Sequence, residues 1–148
     1  MFSPKAILVP TDFSDYSDKA LRQAADIAKQ HKSRIYLFHV VGLIQQCTID
    51  YCLDSQIVND LEKKSIDSSK KMMQAQINKV PDAKSVEIIT DVRQGTPYEE
   101  ILKEQVKKKI DLIVIASHGK TGLLHHLMGS VADKVTKGAR CPVLLVKA

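Results

Sequence analysis

The chain of 148 residues is 44% hydrophobic and 26% charged, a balance that suits one folded domain with one core and excludes a disordered chain. Its 22 Lys and Arg against 17 Asp and Glu leave a net charge of +5, which favours an anionic ligand without naming one. With no tryptophan and 5% aromatics there are few stacking platforms, so no nucleic-acid partner is expected.

The first apolar run is Ala6 to Val9, ended by Pro10-Thr11-Asp12. Asp12 and Asp15 follow it too soon for a secretory signal, and no stretch nears the roughly 20 apolar residues that span a bilayer. A cytoplasmic protein without a membrane partner is therefore expected. A helix follows over Ser14 to Gln30, with Ala20, Leu21, Ala24, Ala25, Ile27 and Ala28 on one face. Ser14 or Ser17 is placed to cap it. Ile35 to Val41 reads as the second strand, apolar except for His39.

The segment 42–56 is irregular and long for a connection, reading as an insertion, a lid or an extra helical turn. It holds Cys47 and Cys52, but no second pair or histidine follows at zinc-finger spacing. Reduced thiols are the expectation, with Cys141 a small buried hydrophobe. A long polar helix over Val58 to Asn78 is predicted to turn Leu61, Met72 and Ala75 inward, and Val86 to Ile89 reads as strand three. Thr96-Pro97-Tyr98-Glu99 marks a helix start: Thr96 caps, Pro97 has no amide to waste, and Glu99 completes a capping box. That helix runs to Lys109, its basic end a solvated terminus that complements the dipole. Leu112 to Ile115 is strand four, a helix begins near Ser130, and Pro142 to Val146 is strand five.

Short apolar strands separated by helices call for an α/β fold: a single doubly wound, Rossmann-like domain over 1–148 with five mostly parallel strands and helices on both faces. Ligands of such sheets bind beyond the C-terminal strand ends, where strand order reverses. The loop after strand four is the richest candidate. Gly119 and Gly129 allow close approach of a ligand, and Gly129-Ser130-Val131 opens a helix whose free amides favour phosphate. Gly119-Lys120-Thr121 is not a P-loop, because Val114 stands where that motif needs its first glycine. The dinucleotide fingerprint fails too, since Pro10-Thr11-Asp12-Phe13 contains no glycine.

Val9-Pro10-Thr11-Asp12-Phe13-Ser14, Leu37-Phe38-His39-Val40 and Cys141-Pro142-Val143-Leu144-Leu145-Val146 together resemble the universal stress protein family. ATP-binding members of that family carry a glycine, two residues, a second glycine, nine residues, then glycine with serine or threonine. Gly119, the stretch from Lys120 to Met128, and Gly129-Ser130 match the later part, whereas Ala116 holds the first glycine position. An alanine fits there if the site needs only close approach, and weakens binding if it needs positive φ.

The resemblance implies an adenine-nucleotide-hydrolase-like fold and an ATP-binding regulatory or signalling module of the stress response. It places adenine near Val40, with Pro10, Thr11 and Asp12 on the nucleoside side. Ala116, His118 and Gly119 would wrap the ribose and phosphates, and Gly129, Ser130 and Val131 would hold the phosphate chain. Mg or Mn would come through phosphate oxygens and water, as no dense carboxylate cage is visible. It also implies a homodimer through the strand Val143 to Val146, whose open edge invites pairing.

Plainer roles stand beside these. Asp12 can cap a turn and Ser130 a helix; His39 reads as a satisfied core histidine, and Lys120 as a solvated lysine. His125 and His126 point apart, which disfavours a shared metal. No catalytic residue is assigned, and nothing beyond weak metal-dependent ATP hydrolysis is expected. A nucleotide-independent dimeric interaction protein is the other alternative.

Overall fold

The structure, a computed structural model, describes residues 1–42, 54–119 and 127–147. Its centre is β1 (Ala6–Pro10), whose apolar run is buried on both sides because it lies in the middle of the sheet. β2 (Arg34–Val41) pairs with it in parallel on one side, and β4 (Leu112–Ala116) on the other. β3 (Ile88–Gln94) lies beyond β2, and β5 (Val143–Val146) beyond β4, giving the order β3-β2-β1-β4-β5 with every pairing parallel.

Side chains alternate across each strand, so the sheet feeds two cores. Ile7, Val9, Ile35, Leu37 and Val114 pack with α1 (Asp15–His31) and α2 (Ser55–Asn78). Leu8, Phe38, Ile113 and Ile115 pack with α3 (Pro97–Lys107) and α4 (Ser130–Gly138). Helices on both faces of a parallel sheet make this the doubly wound α/β fold expected from the alternating pattern.

Ser14 is the cap of α1, its hydroxyl accepting from the Ser17 amide. Asp15 and Asp18 lie at the positive end of the helix dipole, and Lys29 and His31 at the negative end. The small side chains of Ala20, Ala24, Ala25 and Ala28 are buried against the sheet. Lys32, in the left-handed region at φ 55°, terminates the helix by donating its amide to the Ala28 carbonyl.

Five local readings are corrected. α2 begins at Ser55, so the end of the segment read as irregular is helix; residues 43–53, including Cys47 and Cys52, lie outside the described residues. On α2, Leu61 and Met72 are exposed, as is Ala75, while Ser69, Met73 and Gln76 are buried. One residue along a helix is a rotation of about 100°, and here hydrogen-bonded polar groups turn inward. Ser69 donates to the Ser65 carbonyl, and Gln76 enters a buried network described below. β3 starts at Ile88 and runs on to Gln94, past the expected end at Ile89. As an edge strand it keeps Thr90, Asp91 and Arg93 within its backbone ladder, and these polar residues hid it from a hydrophobic reading. Finally, Thr96 and Pro97 occupy the expected cap and first helical positions, but the Thr96 hydroxyl makes no cap hydrogen bond. Ser130 likewise is the first residue of α4 rather than its cap, which is Gly129.

Candidate functional site

Strand order reverses between β1 and β4, so the loops leaving these two neighbours diverge and open a crevice at their C-terminal ends. A cavity of about 250 Å³ occupies that position. Pro10, Thr11, Asp12, Val40, Ala116, His118, Gly119, Gly129, Ser130 and Val131 all line it, drawn together from β1, β2, β4 and the start of α4. Lys120, His125 and His126 lie outside the described residues.

The β1 loop is a tightly bonded turn. Asp12 accepts from the Ser14 amide at 3.0 Å and from the Ser14 hydroxyl, so it caps a turn while one oxygen still faces the next loop. The Thr11 amide donates to the Phe38 carbonyl at 2.8 Å, and the Thr11 carbonyl accepts from Nδ1 of His39 at 2.7 Å. His39 thus has the proton on Nδ1 and packs its ring against Phe13 at 4.4 Å. It is a satisfied structural histidine, although it reaches the cavity wall.

Ala116 ends β4 opposite Val146 and is nearly buried at 8% exposure. Among the described residues, the non-glycine positions with positive φ are Phe13, Lys32 and Lys109, and Ala116 is not one of them. The alanine therefore sits in extended strand conformation without strain. The two glycines serve close approach instead. A methyl group at Gly119 would lie 2.7 Å from Oδ2 of Asp12, and one at Gly129 would lie 3.3 Å from the Ser117 carbonyl oxygen. The Gly129 amide donates to that same carbonyl at 2.7 Å, which pins the start of α4 against the β4 loop.

The first helical bond of α4 runs from the Asp133 amide to the Gly129 carbonyl. The amides of Ser130, Val131 and Ala132 precede it and lie at the positive end of the helix dipole. No lysine or arginine lines the cavity among the described residues, so this helix end is its electropositive element. The cavity also has an apolar wall that sequence reading missed: Phe38, Ile101, Ile115 and Ala132. Phe38 and Ile115 stood in the apolar runs read as strands two and four, and only the open strand ends turn such residues into a wall.

His118 is held by a 2.9 Å contact between its Nδ1 and the Ser117 hydroxyl, and its ring lies 5.9 Å from that of Tyr16. Its Nε2 is buried in the cavity wall without a hydrogen-bond partner. A buried polar nitrogen in that condition suits a ligand acceptor. No group of three or more His, Cys, Asp or Glu suited to a metal occurs among the described residues.

The model of the universal stress protein family matches residues 4–147. The chain belongs to that family. Universal stress protein MJ0531 of Methanocaldococcus jannaschii is 37% identical over 143 residues, covering 97% of this chain and 82% of the relative. Universal stress protein YxiE of Bacillus subtilis is 30% identical, covering 95% of this chain and 97% of the relative. The solved structure of MJ0577, also from M. jannaschii, superposes with a TM-score of 0.84 at 30% identity, covering 99% of this chain and 98% of that one. In this universal stress protein the crevice and the motif residues fall in one place. Among the described residues, no helix is long and apolar enough to cross a membrane.

Proposed function

We propose that this universal stress protein binds ATP in the crevice and acts as a regulatory module of the stress response in the cytoplasm. One observation carries the reading. The amides opening α4, the close-packed Gly119 and Gly129, and an apolar wall all meet in one cavity at the strand-reversal point.

The parts divide by chemistry. Phe38 and Ile115, with the Val40 backbone, suit the base; Pro10, Thr11 and Asp12 flank the nucleoside; Ala116, His118 and Gly119 border the ribose and phosphates; and Gly129, Ser130 and Val131 receive the phosphate chain. The Nε2 of His118 would donate to a phosphate or ribose oxygen. Bound ATP would bring Mg or Mn with it, the metal held by phosphate oxygens and water, and Asp12 is the carboxylate that lines the cavity among the described residues. Ala116 supports this reading, since its backbone needs no glycine.

The test is to extract purified protein with acid, resolve the supernatant chromatographically, and titrate emptied protein with ATP in a calorimeter. Carried nucleotide and saturable binding are expected. No carried nucleotide and no heat at millimolar ATP would leave the nucleotide-independent interaction protein as the reading. Weak hydrolysis, if it belongs to this site, is metal-dependent and disappears in Asp12→Ala; equal phosphate release by parent and variant would trace it to contamination.

The protein is further proposed to form a homodimer through β5. This strand closes one side of the sheet, and its Leu144 is 36% exposed. Antiparallel pairing with a second copy would satisfy the open edge.

A further inference from the structure

A chain of buried polar side chains ties the long helix α2 to the β1 loop of the crevice. Gln76 is 3% exposed, Ser17 2%, Thr11 7% and Asp18 9%. The Gln76 carbonyl oxygen accepts from the Thr11 hydroxyl at 2.8 Å. Its amide nitrogen donates to the Ser17 hydroxyl at 3.1 Å and to Oδ1 of Asp18 at 2.7 Å. The reverse orientation would turn the Gln76 oxygen onto a carboxylate, so the network fixes the amide. Ser17 in turn donates to the Ser14 carbonyl at 2.8 Å.

These bonds have a direction that ends in the crevice. The Thr11 hydroxyl has the Gln76 oxygen at 2.8 Å and the Ser17 hydroxyl at 3.0 Å as acceptors for its one proton, and it accepts from the Phe13 amide at 3.1 Å. Phe13 occupies the left-handed region at φ 65°, a conformation a bulky residue adopts only when its surroundings impose it. Asp12 lies between these two residues, its carboxylate directed at Gly119.

We infer that Gln76 is a positioning residue for the nucleotide site: through Thr11 it holds the Asp12-Phe13 turn in its binding geometry and so couples the seat of α2 to the crevice. This deepens the ATP-binding reading and rests on it. Loss of the Gln76 oxygen removes the shorter of the two bonds that orient the Thr11 side chain and leaves only the Ser17 hydroxyl to hold it, so its bond to the Phe13 amide weakens and the turn carrying Asp12 relaxes. By reciprocity, nucleotide binding tightens the hold on α2.

The decisive comparison is Gln76→Leu against Met73→Ala. Met73 is fully buried on the same helix face but lies outside the polar network, so its truncation loosens α2 by packing alone. Calorimetric titration is expected to show ATP affinity about tenfold weaker in Gln76→Leu and within about twofold of the parent in Met73→Ala. In a Thr11→Val background, Gln76→Leu should add no further loss. Equal losses in Gln76→Leu and Met73→Ala, or an undiminished loss in the Thr11→Val background, would overturn the inference.

Amide hydrogen exchange without nucleotide gives a second readout. Phe13 and Ser14 should exchange faster in Gln76→Leu than in Met73→Ala; equal rates would also overturn it. A parent that binds no ATP would refute the proposed function, while the exchange comparison would still decide the role of Gln76. If the leucine variant does not fold, Gln76→Glu keeps an acceptor for Thr11 while removing both donors. That variant should melt lower yet keep Phe13 protected, and loss of that protection would count against the inference.

Discussion

At Gly119 the space for a side chain ends at the Asp12 carboxylate, 2.7 Å from where a methyl would stand. Overpacking of this kind typically costs about 1–3 kcal/mol, and the loop has Asp12 or the ligand to displace. Gly119→Ala is therefore expected to weaken ATP binding by roughly tenfold or more, read by calorimetry. Ala116→Gly, made in a strand without positive φ, should leave affinity within about twofold. The opposite ranking would show that the first glycine position governs the site. Cys141 is half-buried rather than buried as expected. Burial, followed by the negative charge of Asp111, pushes its pKa up, so less thiolate is present at any given pH. Peptide mapping after iodoacetamide treatment at pH 8 should find Cys141 modified more slowly in the folded protein than in urea. The raised pKa also makes its contribution to stability complete below the unfolded value and lost as pH rises through the folded one.

The helix α2 shows how an element can be legible while its orientation is not. Its existence followed from length and polarity, yet Leu61, Met72 and Ala75 lie outward, and Ser69 and Gln76 inward. A hydrophobic stripe predicts burial only when inward polar groups lack partners; here Thr11, Ser17 and Asp18 supply them from distant segments. Two substitutions separate the readings. Met73→Ala should lower unfolding stability by about 2–5 kcal/mol in urea, the range for a large buried side chain cut to alanine. Met72→Ala, one residue away and 42% exposed, should stay within about 0.5 kcal/mol. If Met72→Ala proves the costlier, the rotation described for α2 is wrong. In β3 the same limit applies to strands. Asp91 and Arg93 pair with each other at 3.2 Å, and an edge position tolerates them in a ladder that a hydrophobic count ends early.

For the whole molecule, the parallel sheet with β1 at its centre leaves two exposed edges, at β3 and β5. β5 is short and apolar, and Leu144→Lys is expected to shift the protein toward monomer in light scattering at micromolar concentration. An unchanged mass would exclude this strand as the dimer contact. Ligand linkage gives a further check. ATP at about one hundred times its Kd should add roughly 2.7 kcal/mol to stability and raise Tm by several degrees in a scan. No shift at saturating ATP would contradict binding to the folded state.

The alternation of apolar strands with helices was enough to specify the class of fold, because a strand with two buried faces must be covered on both. The spaced motifs around Pro10, Val40, Gly119 and Gly129 were readable as a resemblance to a family, since the order and spacing of residue types are kept in the chain itself. The tertiary structure alone decided that Ala116 is unstrained, that Phe38 and Ile101 wall the crevice, and that Gln76 faces inward to Thr11. Each of these depends on contacts between residues far apart in the chain, and local periodicity carries no information about a partner that only folding brings near.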